Sequence, residues 1–224
     1  MSSSVSSLIQ QLNTDKLIGI VRTDTSESAL WASRVLIEAG INWIEIPFTV
    51  PQATQVMEQL VEQYPQANIG AGTVLEAKEA LQALGAGCKF LVAPVVNEPL
   101  IQLGLEQDLL VLPGAMTPTE IYKAWSLGAS AVKFFPAQAT GGVDFISAFR
   151  GPFPKIPLVA TGGIELEHVP GYLKAGALAV GVGGRLVSKQ MVLRRDEQEM
   201  RLLAKCYVEA VQNFSKTSTG PLAV

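Results

Sequence analysis

Eight short apolar segments alternate with helical patterns along the 224 residues of this chain, which predicts an α/β fold, a (β/α)8 TIM barrel. The segments recur roughly every 20 to 26 residues, which is the length of one strand-helix unit. They are almost continuously apolar, as expected for parallel strands that are covered on both faces. A doubly wound open sheet is the alternative, but it usually has fewer strands, and no GxGxxG motif follows the first strand.

The barrel prediction assigns eight strands and one domain. The predicted strands are Leu17–Arg22, Trp43–Phe48, Asn68–Val74, Phe90–Val95, Leu109–Ala115, Ala131–Ala137, Leu158–Gly163 and Leu178–Gly183. No stretch has the composition of a linker, so we expect residues 1–224 to form one domain. Catalytic residues of such barrels lie at the carboxyl ends of the strands, and polar and glycine-rich residues do cluster at these ends.

Helical signals fill the intervals between the strands. Thr117, Pro118 and Glu120 predict a helix start with a capping box, and apolar spacing predicts a helix over Gln52–Tyr64. An extra helix within residues 1–15, near Val5–Leu12, is expected to cover the bottom of the barrel. A last helix is predicted over about Asp196–Phe214, followed by a frayed tail at residues 215–224.

Composition and charge exclude several classes of protein. The net charge of −3 and the lack of a basic run argue against a nucleic-acid partner. No apolar run approaches the roughly 20 residues of a membrane span, and the first residues do not resemble a secretory signal. Cys88 and Cys206 have neither metal-binding nor redox spacing, so we expect reduced thiols in a cytoplasmic protein.

A lysine lies inside the sixth predicted strand, in the run AVKFFPAQATGG from Ala131 to Gly142. A buried ammonium group loses hydration, so its pKa falls and a free amine becomes available for Schiff-base chemistry. Lys133 is therefore the candidate nucleophile. The structural alternative is a lysine that reaches solvent past the strand end or pairs with a carboxylate. Lys89 and Lys123 do not lie at the predicted barrel mouth.

Glu45 is the second charged residue in a strand that should be buried, between Ile44 and Ile46. A buried carboxylate costs free energy unless it is paired or functional. If Glu45 and Lys133 point into the same barrel, they form either a buried salt bridge or a general base beside an amine nucleophile. The sequence leaves both open, and the glycine-rich strand ends favour the second.

Two glycine pairs, Gly162-Gly163 and Gly183-Gly184, end the last two predicted strands. Phosphate groups bind at this position in barrels of this class, because bare backbone N–H groups face the anion there. Tight turn geometry alone is the alternative explanation for each pair. Two pairs on adjacent strands favour a phosphate site.

Four motifs occur in order: GAGTVL at Gly70–Leu75, KFFPA at Lys133–Ala137, GPF at Gly151–Phe153 and TGGI at Thr161–Ile164. Together they resemble the 2-keto-3-deoxy-6-phosphogluconate (KDPG) aldolases, also called KHG/KDPG aldolases. The resemblance implies a class I aldolase, usually a homotrimer, that forms a covalent Schiff base and needs no metal or other cofactor. The expected ligands are a phosphorylated keto-deoxy sugar acid and pyruvate.

The resemblance also implies roles for individual residues. Lys133 is similar to the Schiff-base lysine, Glu45 to the general acid/base, and Thr73 to a residue that contacts the pyruvate half of the substrate. The remaining substrate-binding positions that it implies are Pro94, Phe135, Thr161, Gly162, Gly163, Gly183 and Gly184.

Two positions depart from the gluconate-type pattern. Those enzymes have an arginine four residues after the glutamate that holds the pyruvate carboxylate, and Thr49 stands there in this chain. The segment EIPFTVP resembles the phosphogalactonate branch, in which an arginine ends the first strand, so we expect Arg22 to bind the carboxylate bidentately. A surface position is the alternative for Arg22. Arg185 follows the second glycine pair, and both a phosphate contact and a solvent-facing position are open for it.

The sequence therefore predicts cleavage of 2-keto-3-deoxy-6-phosphogluconate to pyruvate and D-glyceraldehyde 3-phosphate. Three alternatives stay open: the galactonate isomer as substrate, 4-hydroxy-2-oxoglutarate as substrate, and a degenerate barrel that binds a sugar phosphate without catalysis. A metal-dependent barrel epimerase is disfavoured, because His168 is the only histidine of the chain.

Overall fold

The computed structural model describes residues 3–217, and its strands form one parallel sheet rolled into a barrel. The strands are β1 (Leu17–Ile20), β2 (Trp43–Pro47), β3 (Asn68–Gly72), β4 (Phe90–Val92), β5 (Leu110–Leu112), β6 (Gly114–Ala115), β7 (Val132–Phe134), β8 (Leu158–Thr161) and β9 (Ala179–Val182). Their order in the sheet is β5-β4-β3-β2-β1-β9-β8-β7-β6. The predicted (β/α)8 class is confirmed.

The fifth predicted strand is divided into β5 and β6, which is why nine strands occur instead of eight. Pro113 separates the two pieces and has no N–H group to donate to a ladder. β5 pairs with β4, and β6 pairs with β7. Because β5 and β6 are the two ends of the sheet and adjacent in the chain, the chain itself closes the barrel at Pro113.

Helices follow the strands around the outside of the barrel. They are α1 (Ser3–Asp15), α2 (Ser26–Glu38), α3 (Ala53–Gln63), α4 (Ala77–Gly85), α5 (Glu98–Glu106), α6 (Pro118–Ser126), α7 (Gly142–Arg150), α8 (Val169–Lys174), α9 (Lys189–Arg194) and α10 (Glu197–Thr217), with short 3-10 turns at Gln138–Thr140 and Leu166–His168.

Helix boundaries agree closely with the sequence signals. The Thr117 hydroxyl accepts the Glu120 N–H at 3.3 Å, and the Glu120 carboxylate accepts the Thr117 N–H at 2.8 Å, which is the predicted capping box. The last helix continues past Phe214 to Thr217, into the segment predicted as a tail. The rest of that tail lies outside the described residues.

The amino ends of the strands are closed by α1, as predicted. Apolar residues of α1 recur at helical spacing, and Val5 and Leu12 pack against the inward side chains of the barrel. We call this cluster the floor; it comprises Val5, Leu12, Ile18, Trp43, Phe90, Val92, Leu110, Leu112, Ala131, Val159 and Ala179. Trp43 lies 5.2 Å from Phe90 between ring centroids, and its Nε1 donates to the Asp15 carboxylate at 2.9 Å.

Candidate active site

The alternation of side chains along a strand places three polar residues above the floor. Glu45, Lys133 and Thr161 each follow a floor residue by two positions, in β2, at the start of β7 and in β8, so they point to the same side, into the barrel. They are 3%, 6% and 5% exposed. We call these three residues the upper layer. The prediction that Glu45 and Lys133 share the interior of the barrel agrees with this placement.

Glycines make room for the upper layer. A Cβ atom on Gly72 would overlap the Glu45 carboxylate, and a Cβ atom on Gly181 would lie 2.6 Å from the Thr161 hydroxyl. Because both positions lack a side chain, the Glu45 carboxylate and the Thr161 hydroxyl can occupy the space that a Cβ atom would otherwise take. These two glycines therefore provide the room for two of the three side chains of the upper layer.

The electrostatic environment of Glu45 combines two opposing effects. Burial raises the pKa of the Glu45 carboxyl above its ordinary value, and the positive charges of Lys133 and Arg22 oppose that rise. Among the described residues, no ion pair within 4.0 Å joins Glu45 to Lys133. The two groups therefore lie in the same layer of the barrel interior without forming the direct salt bridge that was the structural alternative.

Phe135 lies beside the lysine. The Lys133 Nζ atom is 4.9 Å from the centroid of the Phe135 ring, within the range of a cation–π contact. The same ring backs the next strand, since a Cβ atom on Gly162 would lie 3.1 Å from it. Phe135 thus forms a wall between the lysine and the end of β8.

Arg22 and Thr73 meet at the carboxyl ends of β1 and β3. The Arg22 guanidinium donates to the Thr73 hydroxyl at 3.5 Å, and Arg22 is exposed at the barrel mouth. Thr73 has a φ of 54°, a left-handed conformation that is strained for a β-branched residue. Strain of this kind is found at functional sites. Thr49, the position that lacks the expected arginine, is exposed as well.

The four glycines predicted to bind phosphate lie together beyond β8 and β9, and we call Gly162, Gly163, Gly183 and Gly184 the glycine cradle. Gly162 and Gly163 have φ angles of 102° and 73°, which favour glycine. Within residues 3–217, the backbone N–H groups of Gly163, Gly184 and Arg185 donate no hydrogen bond. A Cβ atom on Gly184 would have no neighbour within 4 Å, so open space adjoins this glycine.

Three further residues considered in the sequence analysis, Pro94, Lys89 and His168, lie outside the upper layer and the glycine cradle. Pro94 is half-buried after β4, and its carbonyl is packed so closely on β6 that Gly114 has no room for a Cβ atom. Lys89 donates to the Ala67 carbonyl at 2.9 Å, before β4 and away from the mouth. His168 accepts the Glu165 N–H at 3.1 Å and is thereby engaged in the turn after β8.

The described part of the chain has neither a cluster of metal ligands nor a helix suited to span a membrane. Residues 3–217 contain no group of three or more His, Cys, Asp or Glu side chains arranged to hold a metal ion. None of the helices in this range combines the length and the apolar character that crossing a bilayer requires.

The fold and the site define a barrel protein with a buried amine and a buried carboxylate inside its mouth. The family model described as KDPG and KHG aldolase matches residues 8–203. The chain belongs to this aldolase family.

Individual relatives cover nearly the whole chain. A 2-dehydro-3-deoxy-phosphogluconate aldolase of Haemophilus influenzae is 30% identical over 212 residues, which are 95% of this chain and 100% of that protein. A 2-dehydro-3-deoxy-6-phosphogalactonate aldolase of Escherichia coli K12 is 34% identical over 198 residues, 88% of this chain and 96% of that protein. A solved structure described as native KDPGal is 32% identical with a TM-score of 0.81, over 89% of this chain and 96% of that one.

The sequence did not indicate two features of the site. The placement of Gly72 beside Glu45 depends on the register, in which Pro47 of β2 pairs with Gly72 of β3. The ion pair between Arg185 and Glu165 depends on the adjacency of two turns. The GAG motif and the arginine after the glycine pair were the available signals, but neither specifies a partner.

Proposed function

We propose that this protein is a class I aldolase that cleaves 2-keto-3-deoxy-6-phosphogluconate to pyruvate and D-glyceraldehyde 3-phosphate. The observation that carries the proposal is the placement of Lys133 and Glu45 in the upper layer without a direct ion pair. The barrel is proposed to act as one domain, residues 1–224, and to need neither a metal ion nor another cofactor.

The proposed reaction begins with the attack of the Lys133 amine on the C2 ketone. Loss of water gives an iminium ion, and Glu45 moves protons in this step through water. Glu45 then removes the proton of the C4 hydroxyl, the C3–C4 bond breaks, and its electron pair flows into the iminium to give an enamine. The aldehyde is released, the enamine is protonated at C3, and hydrolysis frees pyruvate and Lys133.

The other residues are proposed to bind the two ends of the substrate. Thr73, Thr161, Pro94 and Phe135 surround the pyruvate half, and the glycine cradle takes the phosphate through its unpaired N–H groups. Arg22 is proposed to bind the pyruvate carboxylate, supported by its place beside Thr73 at the mouth and by its charge acting on Glu45.

Arg22→Ala should raise the KM for pyruvate in the condensation direction far more than Thr49→Ala, because threonine cannot bind a carboxylate bidentately. Steady-state kinetics of the two variants at saturating aldehyde would measure the difference. Equal effects would contradict the assignment of Arg22.

A second substrate, the galactonate isomer, is favoured by a specific observation. The phosphogalactonate relative is 34% identical, and the chain has Arg22 together with Thr49, the pattern of that branch. Comparing kcat/KM for the two phosphorylated isomers and for 4-hydroxy-2-oxoglutarate would rank the three substrates.

The mechanism is tested by borohydride reduction in the presence of pyruvate. We expect a reduced pyruvyl adduct in the intact mass, located at Lys133 by peptide mapping. Folded protein without an adduct at saturating pyruvate would overturn the aldolase proposal and favour a barrel that binds a sugar phosphate without catalysis.

Self-association as a homotrimer is part of the proposal. Leu75 and Val95 follow the paired strands β3 and β4, and Met116 follows β6, whose Gly114 is packed against Pro94 after β4. All three are exposed, which gives the mouth an apolar rim. Exposed apolar residues that lie together mark interaction surfaces. Sedimentation of the wild type and of a Leu75→Asp, Met116→Asp variant would test whether this rim joins three copies.

The reducing cytoplasm is the proposed location. Cys88 is buried and Cys206 is half-buried, and both are free thiols. Burial raises the pKa of the Cys88 thiol to about 12, so this group is unreactive.

A further inference from the structure

We propose that Arg185 binds the terminal phosphate of the substrate and makes the site prefer phosphorylated over unphosphorylated substrates. This inference rests on the proposed function, because it names a binding residue for the distal end of the same substrate. It goes beyond the glycine cradle, since it assigns the selectivity to one charged side chain of this chain.

Arg185 lies where a phosphate would meet backbone and side chain together. It directly follows Gly184, beside the open space of the cradle, and its own backbone N–H donates no hydrogen bond within the described residues. Its guanidinium reaches the turn after β8, where Nη1 lies 3.5 Å from Oε2 of Glu165. The ion pair therefore spans the two turns that contain the four glycines.

The ion pair with Glu165 leaves the guanidinium available. The two side chains are 67% and 42% exposed, and ion pairs in solvent contribute little to stability. A phosphate monoester has nearly two negative charges and three strong acceptor oxygens, which a guanidinium can bind bidentately. We expect the phosphate to draw Arg185 away from Glu165, since the anion offers more charge at the same place.

A purely structural role for the pair would have a different signature. Glu165 begins the turn after β8 with a capping box, in which its N–H donates to the His168 ring at 3.1 Å and its side chain caps the His168 N–H, and a glutamine at this position keeps an acceptor oxygen for that cap. If the pair only joined the two turns, loss of Arg185 would lower stability and affect all substrates equally. If Glu165 competes with phosphate for Arg185, Glu165→Gln should strengthen phosphate binding.

The experiment compares Arg185→Ala, Arg185→Lys and Glu165→Gln with a matched control, Arg194→Ala. Arg194 also forms an exposed ion pair, with Glu199 at 3.2 Å, but lies outside the glycine cradle. Kinetics are measured with the phosphorylated substrate and with unphosphorylated 4-hydroxy-2-oxoglutarate. Calorimetry with glycerol 3-phosphate measures phosphate binding without any chemical step, and thermal unfolding measures stability.

Arg185→Ala should raise the KM for the phosphorylated substrate and the Kd for glycerol 3-phosphate roughly tenfold, as expected for the loss of a charge-assisted contact. The KM and Kd of Arg185→Lys should lie between those of the wild type and of Arg185→Ala, because an ammonium group keeps the charge but not the bidentate geometry. Glu165→Gln should lower both constants. The KM for 4-hydroxy-2-oxoglutarate, the melting temperature and the control variant should stay at the wild-type values.

Equal changes for both kinds of substrate, or no change in glycerol 3-phosphate binding, would overturn the role of Arg185. Failure of the proposed function gives a different result: the wild type would form no pyruvate adduct and cleave no substrate. Binding of glycerol 3-phosphate that depends on Arg185 would still establish the phosphate contact in that case.

Discussion

The floor and the upper layer are built by the same strands but differ in packing and in charge. In the floor, Trp43 and Phe90 fill the space between the strands, and α1 covers them. In the upper layer, Gly72 and Gly181 leave room for the side chains of Glu45 and Thr161, and Lys133 is buried at the same level. Trp43 and Glu45 are two residues apart on one strand. Burial of apolar side chains in the floor stabilises the fold. The upper layer can therefore contain buried charges, which contribute little or nothing to stability.

Lys133→Met should show the largest difference between the effect on turnover and the effect on stability. Turnover should fall by roughly 10⁴-fold or more, because no other side chain replaces the nucleophile. The free energy of unfolding should stay constant or rise, since an apolar side chain of similar length replaces a buried charge. Steady-state kinetics and urea unfolding measure the two effects, and borohydride trapping tests whether the variant still forms an adduct. Lys123→Met, on exposed α6, is the control, and a pyruvyl adduct on the Lys133→Met variant would contradict the comparison.

Glu45→Gln should reduce turnover by roughly 10² to 10⁴-fold, through the loss of general acid/base catalysis. In the wild type, burial raises the pKa of Glu45, so the acid limb of the rate profile should lie above the ordinary glutamate value of about 4.3. A pH–rate profile measures this limb. An acid limb at the ordinary value would place the catalytic base elsewhere.

The same pKa has a consequence for stability. Because the folded protein binds the Glu45 proton more tightly than the unfolded chain, this group favours folding at low pH. Its contribution is lost as the pH rises from the ordinary glutamate value through the raised value. Urea unfolding across this range should therefore show a decline in the wild type that is smaller in Glu45→Gln.

Trp43→Ala, in the floor, should lower stability and leave turnover unchanged, the opposite of Lys133→Met. The free energy of unfolding should fall by about 3–5 kcal/mol, because a fully buried indole is lost and a cavity is left behind. The kcat per trapped active site should not change, since Trp43 lies below the reacting groups. Trp43→Phe should cost less stability, and a large loss of kcat in that variant would show that the floor and the upper layer are coupled.

Gly72→Ala should have moderate effects on both stability and turnover, because Gly72 belongs to the fold but lies against the Glu45 carboxylate of the upper layer. Its Cβ atom would overlap the Glu45 carboxylate, so we expect a loss of about 1–3 kcal/mol in stability and a roughly tenfold to hundredfold loss of kcat from the displaced base. Gly85→Ala is the matched control, because a Cβ atom there meets nothing within 4 Å and alanine favours the helix. Full activity of Gly72→Ala would mean that the position of Glu45 is not critical.

The sequence predicted most of the fold because its signals are local. Apolar runs, the Thr117 capping box and the spacing of α1 each depend on neighbouring residues. A charged residue inside an apolar run singled out Lys133 and Glu45, but whether the two side chains share the barrel interior depends on the register, which the structure gives. The break at Pro113 was not predicted, because the run Leu109–Ala115 is apolar on both sides of the proline.

The details of the site could not be predicted, because they depend on which distant segments become neighbours. The left-handed conformation of Thr73 gives no sequence signal, since threonine rarely adopts it. The contact of Arg22 with Thr73 and that of Arg185 with Glu165 join different strand-helix units. Their partners follow from loop adjacency, which no single segment encodes.

The floor also determines the order in which substrates bind and products leave in the proposed reaction. Trp43, Phe90 and α1 fill the lower end of the barrel, so we expect molecules to enter and leave through one opening, at the carboxyl ends of the strands beside the glycine cradle. The fragment with the phosphate lies nearest this single opening, while the pyruvyl fragment is still bonded to Lys133 farther down. Departure should therefore be sequential, with the aldehyde leaving first and pyruvate last. In the synthetic direction, pyruvate must enter before any aldehyde, so high aldehyde concentrations should slow the enzyme by blocking the opening.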